Sequence, residues 1–311
     1  MKKLLRIVGY VLLTLLFLVG VFLAWHYHGD IPVEALKKKY VTDHSKFVEL
    51  DGMMVHYQRV GKGHPFVLVH GFSGHTGNWR AWLKELPEDF DLIAMDLPDF
   101  GLTGPHPAKD YSTAVSVDFL DRFLTKIGVD TFHLAGNSMG GGIAWNYTLE
   151  HPERVKKLVL IDAGGYPKKS TKTISGFKLL EYDFLHPLIT KITPRFVIQQ
   201  SLEGTYVDQR FASDAEVAIY MDMLRREGNR QVLIDRRSSK RVDNSPLIPT
   251  IQQPTLVMWG DKDIVIPPSH AELFHRDLPN SQLLIYENVG HLPMDEIGKK
   301  SSADVKAFLM D

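Results

Sequence analysis

The chain has 311 residues, of which 44% are hydrophobic and 23% are charged, and its formal net charge is −1. These values are typical of a globular protein with a large core. They give no broad basic surface, so we expect no nucleic-acid partner. The absence of cysteine excludes disulfides, thiolate metal sites and a cysteine nucleophile.

The N-terminal segment is far more apolar than the rest of the chain. Residues 7–25 contain no charged side chain, and their length is close to the roughly 20 residues that a helix needs to span a bilayer. Trp25 and Tyr27 lie at the end of this run, where interfacial aromatic residues are expected. We predict a single-pass anchor within residues 1–30. The alternative is a cleaved signal peptide, but the run exceeds the usual 7–15 residues and no clear cleavage site follows.

Basic residues bear on the orientation of this anchor. Lys2, Lys3 and Arg6 favour a cytoplasmic N-terminus, which would place the remainder of the chain outside the cytoplasm, in the periplasm if the source is bacterial. Three lysines at 37–39 lie near the other end and oppose that orientation. Residues 31–45 are polar and mixed, and we predict a linker there.

From residue 46 onward, strands and helices alternate. Residues 46–60 are predicted to form a hairpin with its turn at Asp51-Gly52, and the apolar runs at 65–71 and 91–98 are typical of buried strands. A helix within 79–86 is predicted between those two strands. After them, the sequence predicts a capped helix at 112–127, a strand at 132–136, a helix at 143–151 and a strand at 155–163.

The alternation stops at residues 165–248, where prolines, mixed charges and helical apolar spacing, as in F-K-L-L-E-Y-D-F-L, predict a helical insertion between two neighbouring strands of the sheet. It resumes with a strand at 254–261, a helix near 268–278, a strand at 281–288 and a final helix near 295–309. The pattern predicts an α/β fold with a mostly parallel sheet covered by helices on both faces. Its core would comprise residues 46–164 and 249–311.

A predicted strand-to-helix turn carries a candidate nucleophile. The stretch Gly136-Asn137-Ser138-Met139-Gly140 follows the strand at 132–136 and precedes a helix. Such a turn forces the nucleophile into strained dihedral angles, and glycines are needed at 136 and 140 because side chains there would clash. The turn would also direct the Met139 N–H, at the helix N-terminus, toward a developing oxyanion.

Two further groups are needed, because a serine hydroxyl is a poor nucleophile without a base. His291 follows the last predicted strand and would lie at the same edge of the sheet as Ser138. Asp263 lies just beyond the preceding strand and is the acid that we expect to orient His291. Asp162, at the end of an earlier strand, is the main alternative, and we expect Asp261 to brace the loop.

The loop H-G-F-S-G at 70–74 follows the first long parallel strand, where a second oxyanion donor is usually found. We expect the backbone N–H of Phe72 to be that donor. His70 would then hold the loop in place. Residues 96–104 form another loop at this edge and are expected to shape the pocket.

With these residues in view, the chain resembles the α/β-hydrolase superfamily over about residues 46–311. The motifs H-G-F-S-G-H, G-N-S-M-G-G, H-P-E-R-V, W-G-D-K-D and V-G-H-L-P-M occur in that order. Together with the N-terminal segment, they are most similar to the membrane-anchored lipases and monoacylglycerol lipases of that superfamily. The resemblance implies a Ser138–Asp263–His291 triad that hydrolyses esters of lipids through an acyl-enzyme, with no cofactor and no metal. It also implies that the helical insertion at residues 165–248 is a lid.

Two alternatives to a lipase stay open at this point. Carbon–carbon bond hydrolases of aromatic degradation also carry G-N-S-M-G-G, although their oxyanion loop is usually richer in small residues than Gly71-Phe72-Ser73-Gly74-His75. A non-catalytic binding protein of the same fold is the other alternative, since a fold alone does not define a function. The oligomeric state is not predicted.

Overall fold

The computed structural model describes residues 1–98, 100–167, 182–240 and 242–311. Its eight strands form one sheet in the order β1-β2-β4-β3-β5-β6-β7-β8. Their bounds are β1 Ser45–Leu50, β2 Met53–Gly61, β3 His64–Val69, β4 Phe90–Met95, β5 Phe132–Asn137, β6 Val155–Ile161, β7 Thr255–Gly260 and β8 Ser281–Tyr286. The pairs β1–β2 and β2–β4 are antiparallel and the other neighbouring pairs are parallel, which confirms the predicted α/β sheet.

Helices cover both faces of the sheet. In the described residues their bounds are α1 Lys2–Trp25, α2 Val33–Tyr40, α3 Arg80–Glu85, α4 Thr113–Lys126, α5 Met139–Glu150, α6 His186–Ile189, α7 Arg195–Glu203, α8 Asp214–Arg225, α9 Asn229–Asp235, α10 Ser269–Asp277, α11 Pro293–Glu296 and α12 Gly298–Met310. The predicted hairpin turn at Asp51-Gly52 has positive φ at both residues (54° and 76°), as a two-residue turn between twisted strands requires.

The sheet is buried on both faces because its central strands contain runs of consecutive apolar residues. In β3, Val67 and Val69 pack in one core cluster while Phe66 and Leu68 pack in the other. Each of these four side chains is fully buried. This two-sided burial explains the continuous apolar runs, since a parallel strand covered by helices has no solvent-facing side.

Residues 165–248, which we call the cap, connect β6 to β7, and these two strands are neighbours in the sheet. The described cap residues include α6, α7, α8 and α9. Most of the stretch F-K-L-L-E-Y-D-F-L, used above to predict helical structure, lies outside the described residues. The remainder, Tyr182–Leu185, includes a single 3-10 turn at Asp183–Leu185.

The helix α1 is long and apolar enough to cross a membrane, and none of its residues is buried. The segment that follows it, residues 26–41, is called the strap here. The predicted linker is more structured than expected, because the strap contains α2. Its Leu36 is buried against Leu102 and against Met223 of the cap. Tyr40 and Lys39 both donate to Asp222 of the cap at 2.7 Å.

Candidate active site

Ser138 occupies a strained turn between β5 and α5. Its backbone has φ +55° and ψ −118°, a conformation that residues other than glycine rarely adopt. A Cβ on Gly136 would lie 2.2 Å from the carbonyl oxygen of Gly140, and a Cβ on Gly140 would lie 2.2 Å from that of Val69. The close approach of strand and helix therefore requires glycine at both positions, for the steric reason given by the sequence.

His291 and Asp263 are in direct contact. The His291 Nδ1 lies 2.7 Å from the Asp263 Oδ2, and both side chains are almost completely buried. The Asp263 Oδ1 accepts from the backbone N–H groups of Val265 at 2.7 Å and Ile266 at 3.0 Å. An acceptor at this position favours the tautomer of His291 that carries its proton on Nδ1, so its Nε2 can accept a proton.

Asn137, which the sequence reasoning missed, connects the serine turn to the histidine loop. Its Nδ2 donates to the carbonyl oxygens of His291 at 3.1 Å and Ile161 at 3.2 Å. Because Asn137 directly precedes Ser138, this contact brings the loop of His291 to the nucleophile turn. Among the described residues, the structure shows no hydrogen bond from Ser138 Oγ to the His291 ring, and such bonds are often long before substrate binds.

Asp162, the alternative acid, lies beside this pair. Its Oδ1 accepts from the Gly260 N–H at 3.1 Å and its side chain is fully buried. One ligand atom each from Asp162, Asp263 and His291 lies within 4.8 Å of the other two. Burial, and secondly the charge of Asp263, raises the pKa of Asp162 well above its ordinary value. This environment favours the protonated form of Asp162 more than water does.

The same three side chains could in principle bind a metal ion, but the donors around them fit a hydrogen-bonded relay better. Both oxygens of Asp263 already have hydrogen-bond partners: two backbone N–H groups bind one oxygen and the imidazole binds the other.

Asp261 has a different role. It pairs with Lys262 at 2.5 Å and accepts from the Val289 N–H at 3.4 Å, so it braces the loop as expected.

The loop after β3 packs against Ser138. A Cβ on Gly71 would lie 3.0 Å from the Ser138 Cβ. His70 holds this loop, because its Nδ1 donates to the Gly71 carbonyl at 2.7 Å and its Nε2 accepts from the Leu97 N–H at 3.0 Å. Burial lowers the pKa of His70 to about 4, so the ring is neutral and can make both contacts. Phe72, the predicted donor, is the next residue of this loop.

Met139, the other predicted oxyanion donor, is the first residue of α5. The first N–H groups of a helix have no partner within the helix, and the helix dipole favours negative charge beside them. Nothing in the sequence indicated which cap residue would lie near this position. In the structure, Arg236 of the cap lies next to Met139, and its Nη2 is 2.9 Å from the Met139 Sδ. Its guanidinium carbon is 5.5 Å from the centre of the Phe72 ring and 5.8 Å from that of Phe100.

The cap also contacts the histidine loop directly. The His291 N–H donates to the carbonyl oxygen of Thr205 at 2.7 Å. A Cβ on Gly290 would lie 2.3 Å from the same oxygen, so glycine is required for this approach. Thr205 follows α7 closely, and α7 thus ends against the residue that we predict to be the catalytic base.

Three features lie at the carboxyl edge of one parallel sheet. They are a serine on a strained strand-to-helix turn, a buried Asp–His pair and a backbone loop that faces them. This combination defines the class of α/β-fold hydrolases. The sequence profile of the α/β hydrolase fold matches residues 64–188 and 233–296, and the chain belongs to this family.

Within the family, the chain is similar to lipases. It is 29% identical to Lipase 1 of Psychrobacter immobilis over 79% of this chain and 77% of the relative. It is 30% identical to monoacylglycerol lipase abhd6-A of Xenopus laevis over 78% of this chain and 74% of the relative. The crystal structure of a membrane phospholipase A, described as a bacterial virulence factor, is 28% identical, with a TM-score of 0.71 and coverage of 99% of this chain and 98% of that one.

A relative with a different activity matches over a similar length. The 2-hydroxy-6-oxononadienedioate/2-hydroxy-6-oxononatrienedioate hydrolase of Comamonas testosteroni is 27% identical over 83% of this chain and 91% of its own length.

Proposed function

We propose that the protein is a membrane-anchored serine hydrolase that cleaves carboxylic esters of lipids, monoacylglycerols among them. The observation that carries this proposal is the strained Ser138 turn tied through Asn137 to the buried Asp263–His291 pair. A serine held in this way beside a hydrogen-bonded His–Asp pair is suited to nucleophilic attack on a carbonyl carbon.

The reaction proceeds in two halves. His291 Nε2 takes the proton of Ser138 as Oγ attacks the ester carbonyl, and the backbone N–H groups of Phe72 and Met139 stabilise the oxyanion. Losing one donor of this kind costs on the order of 3 kcal/mol in characterised enzymes. The alcohol leaves with the proton from His291, and the acyl group stays on Ser138. Water, deprotonated by His291, then releases the carboxylic acid.

Two features support a lipid substrate. The exposed apolar helix α1 suits a membrane anchor, with a signal sequence as the alternative, and anchoring would keep the enzyme beside water-insoluble esters. Relatives named as a lipase, a monoacylglycerol lipase and a membrane phospholipase A support the same class of substrate. We propose that the catalytic domain lies outside the cytoplasm and that the cap acts as the lid of the site.

The test uses the full chain purified in detergent beside the Ser138→Ala variant. Hydrolysis would be measured with p-nitrophenyl esters of increasing chain length and with a monoacylglycerol. We expect Ser138-dependent cleavage that favours medium or long acyl chains. A fluorophosphonate probe should label the wild-type protein and leave the variant unlabelled. Folded protein that neither reacts with the probe nor cleaves any ester would refute the proposal and favour a non-catalytic binding protein.

A carbon–carbon bond hydrolase is the second candidate, and the similarity to the Comamonas testosteroni enzyme supports it. Its substrates would be meta-cleavage diketone acids. Probe labelling at Ser138 without ester cleavage, together with turnover of such an acid, would favour this activity over the lipase.

A further inference from the structure

The cap exposes a group of large apolar side chains in the short stretch that leads into α7. Four of its residues, which we call the apolar face, are strongly exposed: Tyr182 (53%), Phe184 (77%), Leu188 (41%) and Phe196 (48%). The rings of Tyr182 and Phe184 contact each other with centres 6.1 Å apart. Single exposed apolar residues are ordinary, but a cluster of them usually marks a binding surface.

The apolar face is joined to the outer end of the predicted anchor. Residues 26–28 of the strap pair with residues 191–193 of the cap in a short antiparallel bridge, with backbone hydrogen bonds of 2.9 and 3.1 Å. The ring of His26, the residue directly after α1, lies 6.0 Å from the ring of Phe196. Phe196 of the apolar face therefore lies beside the residue at which the apolar helix ends.

An ion pair holds this junction together. Asp30 of the strap accepts from Arg230 Nη2 at 2.6 Å and from Lys191 Nζ at 3.2 Å, and the Arg230 side chain is almost fully buried. Burial alone would raise the pKa of Asp30, but the hydrogen bonds from Arg230 and Lys191 lower it, so the carboxylate stays charged at neutral pH. The strap therefore fixes the cap relative to α1.

The outer end of α1, beside this face, carries aromatic residues typical of a lipid–water interface. Trp25 and Tyr27 are 78% and 58% exposed at the end of α1, which is where interfacial aromatic residues lie on a spanning helix. Phe184 lies seven residues before Lys191, mostly in helical turns, so the two are roughly 10–14 Å apart along the chain. Asp183 directly precedes Phe184, and its carboxylate pairs with Arg237 at 3.0 Å.

We propose that the apolar face lies in the lipid–water interface beside α1, so that anchor, strap and cap bind the bilayer as one unit. The partner is the lipid bilayer itself, and the inference rests on the membrane anchor of the proposed function. The helix α7 starts at this face and leads to Thr205, which holds the His291 loop. Nine helical residues span about 13 Å, so the face and the catalytic base are joined by one short helix.

The absence of cysteine allows a direct measurement of depth, since one introduced cysteine carries the only label. We would place an environment-sensitive fluorophore on Phe184→Cys, on Leu12→Cys in the middle of α1 and on Ile285→Cys. Ile285 is 45% exposed on β8, at the far edge of the sheet, and serves as the matched control. The full chain would be reconstituted into phosphatidylcholine–phosphatidylglycerol vesicles that contain lipids brominated at known depths.

We expect strong quenching at position 12 by deep bromines, clear quenching at position 184 by shallow bromines and none at position 285. Quenching at 12 with none at 184 would overturn the inference while the anchor stands. No quenching at either position would refute both the interfacial face and the membrane anchor, whatever the esterase assays show.

A kinetic experiment checks the consequence for substrate access. Phe184→Ser with Phe196→Ser should lower hydrolysis of a monoacylglycerol embedded in vesicles by about tenfold, because two apolar side chains leave the interface. Hydrolysis of soluble p-nitrophenyl butyrate should stay within twofold, and Ile285→Ser should change neither rate. Equal losses on both esters, or no loss on either, would contradict the inference. A wild-type protein inactive on both esters would count against the proposed hydrolase, and the quenching result would still decide the membrane contact.

Discussion

The structure contains a second Ser–His–Asp array that resembles the predicted catalytic one. The His56 Nδ1 lies 2.7 Å from the Asp96 Oδ2, and the His56 Nε2 lies 3.0 Å from the Ser45 Oγ. The His291–Asp263 contact has the same length and uses the same atoms. Each carboxylate also accepts two backbone N–H groups, those of Thr76 and Leu102 in one array and those of Val265 and Ile266 in the other.

The two arrays differ in the backbone around the serine. Ser45 is the first residue of an edge strand and has no positive φ, whereas Ser138 is held at φ +55° between a strand and a helix. The Ser45 hydroxyl also accepts from the Thr42 N–H at 3.1 Å. No helix begins after Ser45, so no free N–H groups face a bound carbonyl there. Because the two arrays share the same hydrogen bonds, we expect the strained turn and its backbone donors to be what would allow catalysis at Ser138 and not at Ser45.

The largest contrast between the arrays should appear in serine substitutions. Ser138→Ala should lower kcat/KM for a p-nitrophenyl ester by 10⁴-fold or more, on the order seen in other serine hydrolases. Ser45→Ala, the matched control, should stay within about twofold, because its hydroxyl contacts His56 and Thr42, which lie outside the candidate active site. Circular dichroism would verify that both variants are folded. Comparable losses in the two variants would contradict the distinction drawn here.

The next contrast concerns the two acids beside His291. Asp263→Asn should lower kcat by roughly 10⁴-fold, because the amide no longer holds His291 in the productive tautomer. Asp162→Asn should retain activity within about tenfold, since an amide resembles the neutral carboxylic acid favoured at that position. Steady-state kinetics on both variants would decide the assignment, and the reverse order of effects would move the catalytic acid to Asp162.

The second array should act on stability. Asp96 is buried and, although burial alone would raise its pKa, the nearby His56 and backbone donors lower it to about 2. Asp96→Asn leaves its partners without a charged acceptor and should lower the free energy of unfolding by about 3 kcal/mol, a typical loss for a broken buried pair. Urea unfolding would measure the loss, and kcat per folded molecule should change much less than in Asp263→Asn. A kcat loss as large as that of Asp263→Asn would contradict a purely structural role for Asp96.

Acid should weaken the loops that carry these arrays. Burial lowers the pKa of His70 and of His75 to about 4, below the value of 6.5 in the unfolded chain. The stability from each neutral ring is therefore complete above pH 6.5 and is lost as the pH falls toward 4. Between pH 7.5 and 5 the free energy of unfolding should fall by about 2 kcal/mol for each histidine.

Urea titrations at the two pH values would measure this fall, and Asp96 contributes little there because its carboxylate protonates only below about pH 4. His75→Asn is a suitable control. His75 caps a 3-10 turn by accepting from the Gly77 N–H at 3.0 Å, and Asn can accept in its place. The variant should show a fall smaller by about 2 kcal/mol, and an unchanged fall would exclude His75 as a source of the pH dependence.

The smallest effect is expected at the contact between cap and active site. Arg236→Met keeps the length of the side chain but removes the cation from the rings of Phe72 and Phe100, each contact being worth about 1 kcal/mol. We expect kcat/KM to fall severalfold and the unfolding midpoint to change little. Arg237→Met, an exposed neighbour, should leave kcat/KM unchanged. Identical effects at the two positions would argue against a specific role of Arg236.

The sequence alone predicted the α/β sheet, because apolar runs followed by turn residues and helical spacing are local signals. It predicted that Ser138 lies in a strained turn and that Gly136 and Gly140 are steric requirements; Ser138 has φ +55°, and a Cβ at either glycine would lie 2.2 Å from a carbonyl oxygen. The triad itself stays a prediction, although the contact between His291 and Asp263 agrees with it. It also expected a plain linker at 31–45, which instead contains α2.

Only the tertiary structure revealed the contacts made by side chains distant in sequence. Asn137 reaches His291 over 154 positions, Asp30 reaches Arg230 over 200, and the array around His56 joins two strands and a loop. Single polar residues carry no periodicity, so their spacing along the chain does not indicate their partners. Where they meet depends on how the sheet, the cap and the strap pack, because burial and hydrogen bonding act through space rather than along the chain.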